Sequence, residues 1–325
     1  MSARLRIVAA GPAVSLQDRG RRGARRYGVS LSGPMDWVSH ALALQLVGSD
    51  PDDPAFEFGP GGVSLEAEAA PVRVAVAGPG AGGVLLRAGI RSVLPAPFTA
   101  VLEPGDGLAV RPGLDGSWGT LAVAGLMAGT KVMGSWSTNL RTGLGPSRPD
   151  AGTVYPCAAA TPEPPTPYGE PLERPERLTI RLLTAPQTHL FDEASREALV
   201  GETFTVTRQR DRMGGRIEGT PLRAASHDIV SDALVQGAIQ VPGDGQPIVQ
   251  TADAAPTGGY PKIAVVARAD LPLLTQARVS CAVRFEWIAV DAARAALASM
   301  EKRIAAAKPR RRDPLDPTFL KAFSV

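Results

Sequence analysis

The chain of 325 residues is poor in the side chains that most often build metal sites, with only two cysteines and three histidines. Cys157 and Cys281 form no CxxC pair, so neither a disulfide framework nor a zinc knuckle is supported. His40, His189 and His227 do not fall at metal-ligand spacing, and no HExxH motif occurs. We therefore expect no metal in this chain, and the cysteine usage predicts a reducing compartment, with the cytoplasm as the default location.

Aromatic residues are also scarce, at 5% of the chain, and no run of about eighteen apolar residues occurs. The sequence therefore predicts no membrane span, and Met1–Gly11 is too short for the apolar part of a signal peptide. The net charge of +3 comes largely from the clusters Arg19–Arg26 and Lys308–Arg312. Without interleaved aromatics these clusters do not predict nucleic-acid binding, and we expect residues 308–325 to be a basic flexible tail.

Long helices are few, because 35 glycines and 30 prolines interrupt the chain every few residues. Short windows rich in valine, such as Val72–Ala77 and Thr120–Ala124, are bounded by turn residues and predict strands. The clearest helix is Met35–Val47, with Asp36 as its N-cap and Gly48 as its C-cap. The sequence predicts a mainly β fold with a few short helices.

The proline-rich segment Ala158–Arg177 favours neither a helix nor a long strand, which predicts a linker. On either side of it we expect one β-rich domain, residues 1–157 and residues 178–307. Two helices are predicted in the second domain, Phe191–Leu199 and the alanine-rich Val290–Ala307.

Familiar catalytic motifs are mostly absent. Gly125–Lys131 has the wrong spacing for a phosphate-binding loop, and Ser32 and Ser231 lie in no G-x-S-x-G elbow. Gly78–Gly83 does read G-x-G-x-x-G after a predicted strand, but a dinucleotide loop must open a helix. A short alternating stretch follows instead, which favours a hairpin turn.

Three signatures place charged and amide side chains beside glycines, where the backbone turns sharply and a ligand can approach closely. They are Asp211–Arg216, Gly237–Ile248 and Thr257–Ile263. The candidate site residues in and between these signatures are Arg212, Arg216, Gln240, Gln246, Asp253, Thr257, Gly258, Tyr260 and Lys262. Each one alone is equally well explained as a turn-stabilising or solvated residue, whereas the set predicts a polar site.

Further candidates lie near the start of the chain. Asp18 and Arg19 belong to an early cluster of glycine turns. Asp36 stands at the predicted helix start, where backbone amides can meet a polar ligand. Glu57 follows the connection from that helix to the next strand.

Ordered motifs give the chain a family resemblance from about Arg6 to Arg294. They are Gln17–Gly23, Gly28-Val29, Ser32–Asp36, Leu46–Gly48, Ser137–Gly145 and the three signatures above. This set resembles the family of the C subunit of 5-oxoprolinase, also called the biotin-dependent carboxyltransferase or allophanate hydrolase subunit 2 family, with KipA-like members. Arg141, in the motif Ser137–Gly145, joins the substrate-binding candidates.

The resemblance implies two cyclophilin-like β-barrel domains in a subunit of an ATP-dependent 5-oxoprolinase, which opens 5-oxoproline to glutamate. It also implies two partner proteins, one KipI-like (the B subunit) and one LamB/YcsF-like (the A subunit), with ATP bound together with a partner. Arg212, Arg216, Asp253 and Lys262 are the expected catalytic residues, as groups that stabilise charge and handle protons, because arginine and lysine at glycine turns stabilise oxyanion charge. The other candidates are expected to bind the substrate, a small amide or lactam.

Two alternative functions stay open. Some relatives are non-catalytic regulatory subunits that bind a kinase inhibitor, and related domains in urea carboxylase transfer a carboxyl group from carboxybiotin to urea. No biotin-accepting Met-Lys-Met tripeptide occurs, so biotin, if used, is supplied in trans by another protein. The chain departs from the family pattern at two places. Where the family has Thr-Thr-Gly-Gly-Tyr-Pro, Pro256 replaces the first threonine and removes a hydroxyl and a backbone donor. Where the family has Ser-Glu-Gly, Asp232-Ala233 follows the serine, which shortens the carboxylate and replaces the glycine.

Overall fold

The computed structural model describes residues 3–113, 116–169 and 177–309. The described residues divide into two compact units that alternate along the chain. Unit 1 comprises residues 3–20, 36–169 and 303–309, and unit 2 comprises residues 21–35 and 177–302. Residues 21–35, which we call the N-terminal insert, therefore belong with the C-terminal part of the chain.

The domain boundaries predicted from the sequence, 1–157, 158–177 and 178–307, stay a prediction. Residues 170–176 of the expected linker and 310–325 of the expected tail lie outside the described residues. Within the expected linker, Thr166–Pro167 pairs with Phe98 and Thr99 in a short ladder.

Unit 1 contains two six-stranded antiparallel sheets, and a helix packs against the sheet that includes Val72–Ala77 and Gly119–Val123. In chain order its elements are β1 (Ala3–Ala10), β2 (Ser15–Gln17), α1 (Trp37–Val47), β3 (Ala55–Phe58), β4 (Val63–Glu68), β5 (Val72–Ala77), β6 (Gly82–Arg87), β7 (Ile90–Pro95), β8 (Phe98–Leu102), β9 (Gly107–Arg111), β10 (Gly119–Val123), β11 (Val154–Cys157) and β12 (Thr166–Pro167). The strand orders are β11-β1-β4-β9-β6-β7 and β12-β8-β5-β10-β3-β2. Alternate residues such as Leu5, Leu65 and Leu108 are buried between the sheets.

Helix α1 is fixed by its two caps. The Asp36 carboxylate accepts hydrogen bonds from the backbone amides of Val38 and Ser39, both at 3.0 Å. Gly48 ends the helix at φ 72°, a left-handed conformation that costs glycine little. Both predicted caps are confirmed, and the helix begins after Asp36 because that residue is extended.

Unit 2 is a closed seven-stranded barrel with helices and a small ribbon around it. Its elements are a 3-10 turn (Ala24–Tyr27) in the insert, β13 (Leu178–Thr184), a 3-10 turn (Thr188–Leu190), α2 (Glu193–Gly201), β14 (Phe204–Arg210), β15 (Gly214–Glu218), β16 (Asp232–Ala233), β17 (Ala238–Gln240), β18 (Ile248–Gln250), β19 (Thr257–Gly258), β20 (Lys262–Val266), α3 (Leu271–Gln276) and β21 (Ala282–Trp287). The barrel order is β13-β20-β17-β18-β15-β14-β21, and parallel pairing of β21 with β13 closes it. Strands β16 and β19 pair separately, and α4 (Val290–Ala305) follows β21.

The barrel interior is filled by apolar side chains from alternate strand positions. Ile180, Phe204, Ile239 and Phe285 are at most 2% exposed, and the two phenylalanine rings meet edge to face with centroids 5.7 Å apart. Each such buried side chain contributes about 1.5–3 kcal/mol relative to exposure. The predicted mainly β fold with a few short helices is confirmed.

The Gly78–Gly83 segment is a turn, as expected, but it is not a hairpin. It joins β5 to β6, which lie in different sheets, and no helix follows it. A dinucleotide-binding loop is therefore absent at this position. Among the described residues no helix is long and apolar enough to cross a membrane.

Candidate functional site

The N-terminal insert is joined to the rest of unit 2 by hydrogen bonds from four side chains. They run from Arg25 Nη1 to Leu234 O, from Gln236 Nε2 to Ser32 O at 3.1 Å, from Arg212 Nη2 to Gly33 O at 2.7 Å, and from Thr275 Oγ1 to Met35 O at 2.8 Å. Three of them are accepted by backbone carbonyls of the insert. The Ser-Gly-Pro-Met stretch is thereby held against the glycine signatures of the C-terminal half.

Arg212 and Asp253, two of the expected catalytic residues, form a buried ion pair. Arg212 Nε lies 2.8 Å from Asp253 Oδ2, and the side chains are 8% and 4% exposed. The backbone amide of Asp253 also donates to Arg212 O at 2.6 Å. Because opposite charges meet at hydrogen-bond distance, this pair has little net charge, and Arg212 also holds the insert; the catalytic roles of both residues stay a prediction.

Arg216, Gln240 and Lys262 lie in one row across four adjacent barrel strands. Arg216 pairs with Ile248, Ile248 with Gln240, and Gln240 with Lys262. Paired residues of antiparallel strands point to the same face, and the alternate positions fill the barrel core. The row therefore lies on the outer face, and the structure brings these three predicted residues together at the level of the backbone.

The ribbon of β16 and β19 covers part of this row. Lys262, only 2% exposed, donates from Nζ to Asp232 Oδ2 at 2.7 Å and to Ala233 O at 3.1 Å. Gln187 Nε2 donates to the same Asp232 oxygen at 2.9 Å. The hydrogen bonds from Lys262 and then Gln187 lower the pKa of Asp232 to about 2.

Gln240 is enclosed by the same ribbon. Its Nε2 donates to Tyr260 O at 3.1 Å, and its Oε1 accepts from Gln250 Nε2 at 3.0 Å. Gly258 lies so close that a Cβ placed on it would be 2.6 Å from Gln240 Nε2. Thr257 pairs with Ala233 in the ribbon, and the Tyr260 side chain remains 42% exposed.

The side chains of Arg216 and Gln246 make contacts outside the region that the β16–β19 ribbon encloses around Gln240. Arg216 Nη1 forms an ion pair with Asp244, and the two side chains are 26% and 51% exposed. Gln246 bonds both backbone groups of Gly219, at 3.0 and 3.1 Å. Both contacts stabilise turns, and the ligand-binding roles of these residues stay a prediction.

Unit 2 also has an open cleft, whose volume of about 380 Å³ includes the open solvent at its mouth. Its polar lining comes from Arg210, Asp211, Arg216, Thr251 and Thr275, and its apolar lining from Met35, Val206, Ile217, Val249 and Leu274. Met35 is contributed by the insert, so residues from both ends of the chain build this cleft.

In unit 1, Asp18 lies in a cradle of donors. Its carboxylate accepts from Ser135 Oγ at 2.5 Å, from Ser137 Oγ at 2.7 Å, and from the amides of Trp136 and Gly20 at 2.7 and 2.9 Å. Burial alone would raise the pKa of Asp18, but these hydrogen bonds hold it below the ordinary value. The Asp18 carboxylate is therefore ionised, and four donors form hydrogen bonds with its oxygens.

The other unit 1 candidates have separate surroundings. Arg19 and Asp52 form an exposed pair at 3.3 Å, Asp36 caps α1, and Glu57 is buried between Ser15 and Thr120 of the neighbouring strands. Arg141 is exposed on a turn whose amides donate to Asn139 Oδ1. The structure places Asp36 in a capping role, and its substrate-binding role stays a prediction.

His40 on α1 is the unexpected polar group of unit 1. It is 2% exposed, and neither ring nitrogen has a hydrogen-bond partner among the described residues. Burial lowers the pKa of His40 to about 4, so the ring is neutral at pH 7.

The sequence does not single out Ser32, Gln236 and Asp232 as members of the site. Ser32 is not predicted as a nucleophile because it lies in no nucleophile elbow. In the structure its backbone carbonyl accepts a hydrogen bond from Gln236 Nε2. Gln236 directly precedes the signature that begins at Gly237, and Asp232 lies in a family motif. A rule that includes polar residues next to a glycine signature would have found Ser32 and Gln236.

A metal site requires clustered ligands, and a phosphate site often uses an open helix start. No cluster of three or more His, Cys, Asp or Glu side chains within residues 3–113, 116–169 and 177–309 is placed to hold a metal ion. Helices α1, α2 and α3 are each preceded by an aspartate, Asp36, Asp192 and Asp270. In α1 and α2 the carboxylate accepts hydrogen bonds from amides of the first turn and repels phosphate, so these two helix starts do not fit the ATP phosphates.

Comparison with known proteins identifies the family. The family model "Carboxyltransferase domain, subdomain A and B" matches residues 27–287. The chain belongs to this carboxyltransferase family. The match begins inside the insert and ends at the last barrel strand, so it includes the candidate site residues of unit 2 and leaves out Arg25 and α4.

Two similar proteins are named as the C subunit of 5-oxoprolinase. The protein of Escherichia coli (strain K12) is 33% identical over 89% of this chain and 93% of its own length. That of Haemophilus influenzae is 31% identical over 86% of this chain and 89% of its own length. The chain also resembles the urea amidolyase of Saccharomyces cerevisiae, with 26% identity over 97% of this chain but only 18% of that enzyme.

Solved structures show the same fold. The crystal structure of TTHA0988 superposes with a TM-score of 0.77 and 33% identity, covering 88% of this chain. This chain spans 56% of that protein. The Kluyveromyces lactis urea amidolyase gives a TM-score of 0.81 at 25% identity, covering 93% of this chain and 20% of the enzyme.

Proposed function

We propose that this chain is the C subunit of an ATP-dependent 5-oxoprolinase, which opens the lactam ring of 5-oxoproline to give glutamate. The observation that carries the proposal is the 33% identity to the C subunit of the Escherichia coli 5-oxoprolinase over 89% of this chain and 93% of that protein. Because nearly the full length of both proteins aligns, the similarity is not confined to a shared fragment. A relative that is named as one subunit of an enzyme supports a hetero-oligomer, and we propose KipI-like and LamB/YcsF-like proteins as cytoplasmic partners.

In this proposal the polar cluster of unit 2 binds and orients the lactam. Arg212 and Gln236 fix the backbone of Ser32 and Gly33, and the Lys262–Asp232 pair fixes the ribbon over Gln240. ATP, bound with a partner protein, supplies the driving force for breaking the amide C–N bond. The aspartate-capped starts of α1 and α2 support that division, because neither is open to a phosphate.

Reconstitution tests the proposal directly. The chain is co-purified with the KipI-like and LamB/YcsF-like proteins of the same genome and incubated with 5-oxoproline and ATP. Glutamate and ADP should form together only when all three proteins are present. The same rate of glutamate formation without this chain would contradict the proposal, and a stable complex without turnover would favour a regulatory role.

A carboxyltransferase is the second candidate, because the matching family model and the urea amidolyases both point to carboxyl transfer. In that case biotin is carried by another protein, and this chain moves the carboxyl group from carboxybiotin to a urea-like amide. Transfer of labelled carboxyl from free carboxybiotin to urea, abolished by avidin, would support it. Glutamate formation that is insensitive to avidin would support the oxoprolinase.

A further inference from the structure

Ser32 has a backbone conformation that side chains rarely adopt. Its φ is 58°, in the left-handed region, and Gly33 follows at 94°. Glycine takes this conformation without steric cost, whereas a residue with a Cβ is strained there. The chain therefore keeps a serine where glycine would give a more stable backbone.

The buried hydroxyl of Ser32 also lowers the stability of the folded chain. Ser32 is 1% exposed, and its Oγ has no hydrogen-bond partner in the part of the chain that the structure describes. Buried polar atoms almost always have partners, because desolvation without a hydrogen bond is unfavourable. A strained backbone and an unsatisfied hydroxyl at one position indicate a group held ready for a ligand.

The loop around this hydroxyl is firmly fixed. The carbonyl of Ser32 accepts from Gln236 Nε2, which also donates to Ala252 O at 3.2 Å. The carbonyl of Gly33 accepts from Arg212, which is itself held by Asp253. Both backbone carbonyls are engaged, so the position of the hydroxyl is set before any ligand arrives.

The charges nearby decide what kind of ligand fits. Arg212 and Asp253 neutralise each other at 2.8 Å, so this pair does not offer an uncompensated charge to a ligand. A hydroxyl both donates and accepts, which matches the C=O and N–H of an amide. The insert also supplies Met35, three residues after Ser32, to the wall of the open cleft.

We propose that Ser32 Oγ is the hydrogen-bonding contact for the amide group of a small lactam or amide ligand, with Gln236 and Arg212 as positioning residues. This deepens the proposed function, on which it rests, because the ring of 5-oxoproline contains such an amide. Binding the ligand satisfies the hydroxyl and offsets the cost of keeping serine at this position.

Calorimetric titration of the full chain, alone and with its partner proteins, tests the contact. The probes are 5-oxoproline, 2-pyrrolidinone as a lactam without a carboxylate, and cyclopentanecarboxylate as a ring carboxylate without an amide. The variants are S32G, S32A and the control S231A, which changes an exposed serine. Both Ser32 variants should bind the lactams about fivefold to tenfold more weakly, and S231A should bind like wild type.

Thermal unfolding of the same variants separates a ligand contact from a structural role. Glycine relieves the positive φ and alanine removes an unpartnered hydroxyl, so neither Tm should fall. A structural role would instead make weaker binding accompany a lower Tm, and that result would overturn the proposal. Three other results would also overturn the proposal. They are lactam affinity equal to wild type in S32G or S32A, binding of cyclopentanecarboxylate as tight as that of the lactams, and no binding of a lactam to the wild-type protein.

Glutamate formation is measured separately with the assembled complex. Lactam binding that depends on Ser32, without any glutamate, would overturn the proposed function and leave the Ser32 contact standing. Turnover that persists unchanged in S32G would overturn the contact and leave the function standing.

Discussion

Arg212 donates a hydrogen bond to the carbonyl oxygen of Gly33 at 2.7 Å, although 179 residues separate them in the chain. The same guanidinium is paired with Asp253. One arginine therefore fixes both a loop from the start of the chain and a carboxylate from its C-terminal half. A residue expected from the sequence to stabilise a reacting oxyanion is, in the structure, the centre of a packing network.

This network makes Arg212 a large contributor to stability. We expect R212A to lower the free energy of unfolding by about 3–5 kcal/mol, because Asp253 would be left buried without its cation. R216A is the matched control, since Arg216 pairs with Asp244 near the surface, and it should cost less than about 1 kcal/mol. Urea denaturation measures both, and equal losses would contradict the assignment.

Neighbouring glycines of the third signature should differ in tolerance. A Cβ on Gly258 would lie 2.6 Å from Gln240 Nε2 and 2.9 Å from Leu234 Cδ1, whereas on Gly259 the nearest atom would be 3.5 Å away. We expect G258A to cost about 1–3 kcal/mol, because Gln240 must give up its bond to Tyr260 O. G259A should change the unfolding free energy by less than about 0.5 kcal/mol. If G258A unfolds at the same urea concentration as wild type, the ribbon does not enclose Gln240 as described.

His40 predicts a pH dependence of stability. Its folded pKa of about 4 lies below the ordinary value of about 6.5, so between these values the unfolded chain binds more protons than the folded one. Stability is therefore fully present above about pH 6.5 and falls as the pH drops towards 4, by about 3 kcal/mol in all. The dependence of the unfolding free energy on pH between 4 and 6.5 should vanish in H40L. It should persist in H189L, which alters an exposed histidine. An unchanged pH dependence in H40L would assign the effect to other groups.

Asp232 predicts a second window at lower pH. Its folded pKa of about 2 lies below the ordinary value of about 3.9, so its contribution is present above about pH 4 and is lost as the pH falls towards 2. D232N should be less stable than wild type at neutral pH, and the difference should shrink in this window. D228N, a change of an exposed aspartate in the same loop, should show no such convergence. Parallel curves for wild type and D232N would contradict the ion pair with Lys262.

Local features of the fold were predictable from the sequence. Asp36 and Gly48 directly flank α1, so the signals for its start and its end are local in the sequence. Both caps are predicted correctly for that reason. The helices predicted at Phe191–Leu199 and Val290–Ala307 are found at Glu193–Gly201 and Val290–Ala305, with shifts only at their ends. Hydrophobic periodicity and turn residues carry this information without any knowledge of distant contacts.

Contacts between distant residues were not predictable in the same way. The pairing of Gln240 with Lys262 depends on a register shift after Ile239, and a one-residue shift moves a side chain to the other face. Ser32, which has a positive φ, accepts a hydrogen bond from Gln236, a residue 204 positions away in the chain. The glycine signatures therefore indicated where polar residues gather, but not which side chain each one contacts.

The N-terminal insert also has a consequence for how the protein is made. Gly33 is synthesised 179 residues before Arg212, a delay of roughly 10–40 s at about 5–20 residues per second. Throughout that time the insert has no barrel to join, so the assembly of unit 2 joins an old segment to a newly translated one. For the same reason, a chimera that exchanges the C-terminal halves of two relatives must exchange residues 21–35 with them.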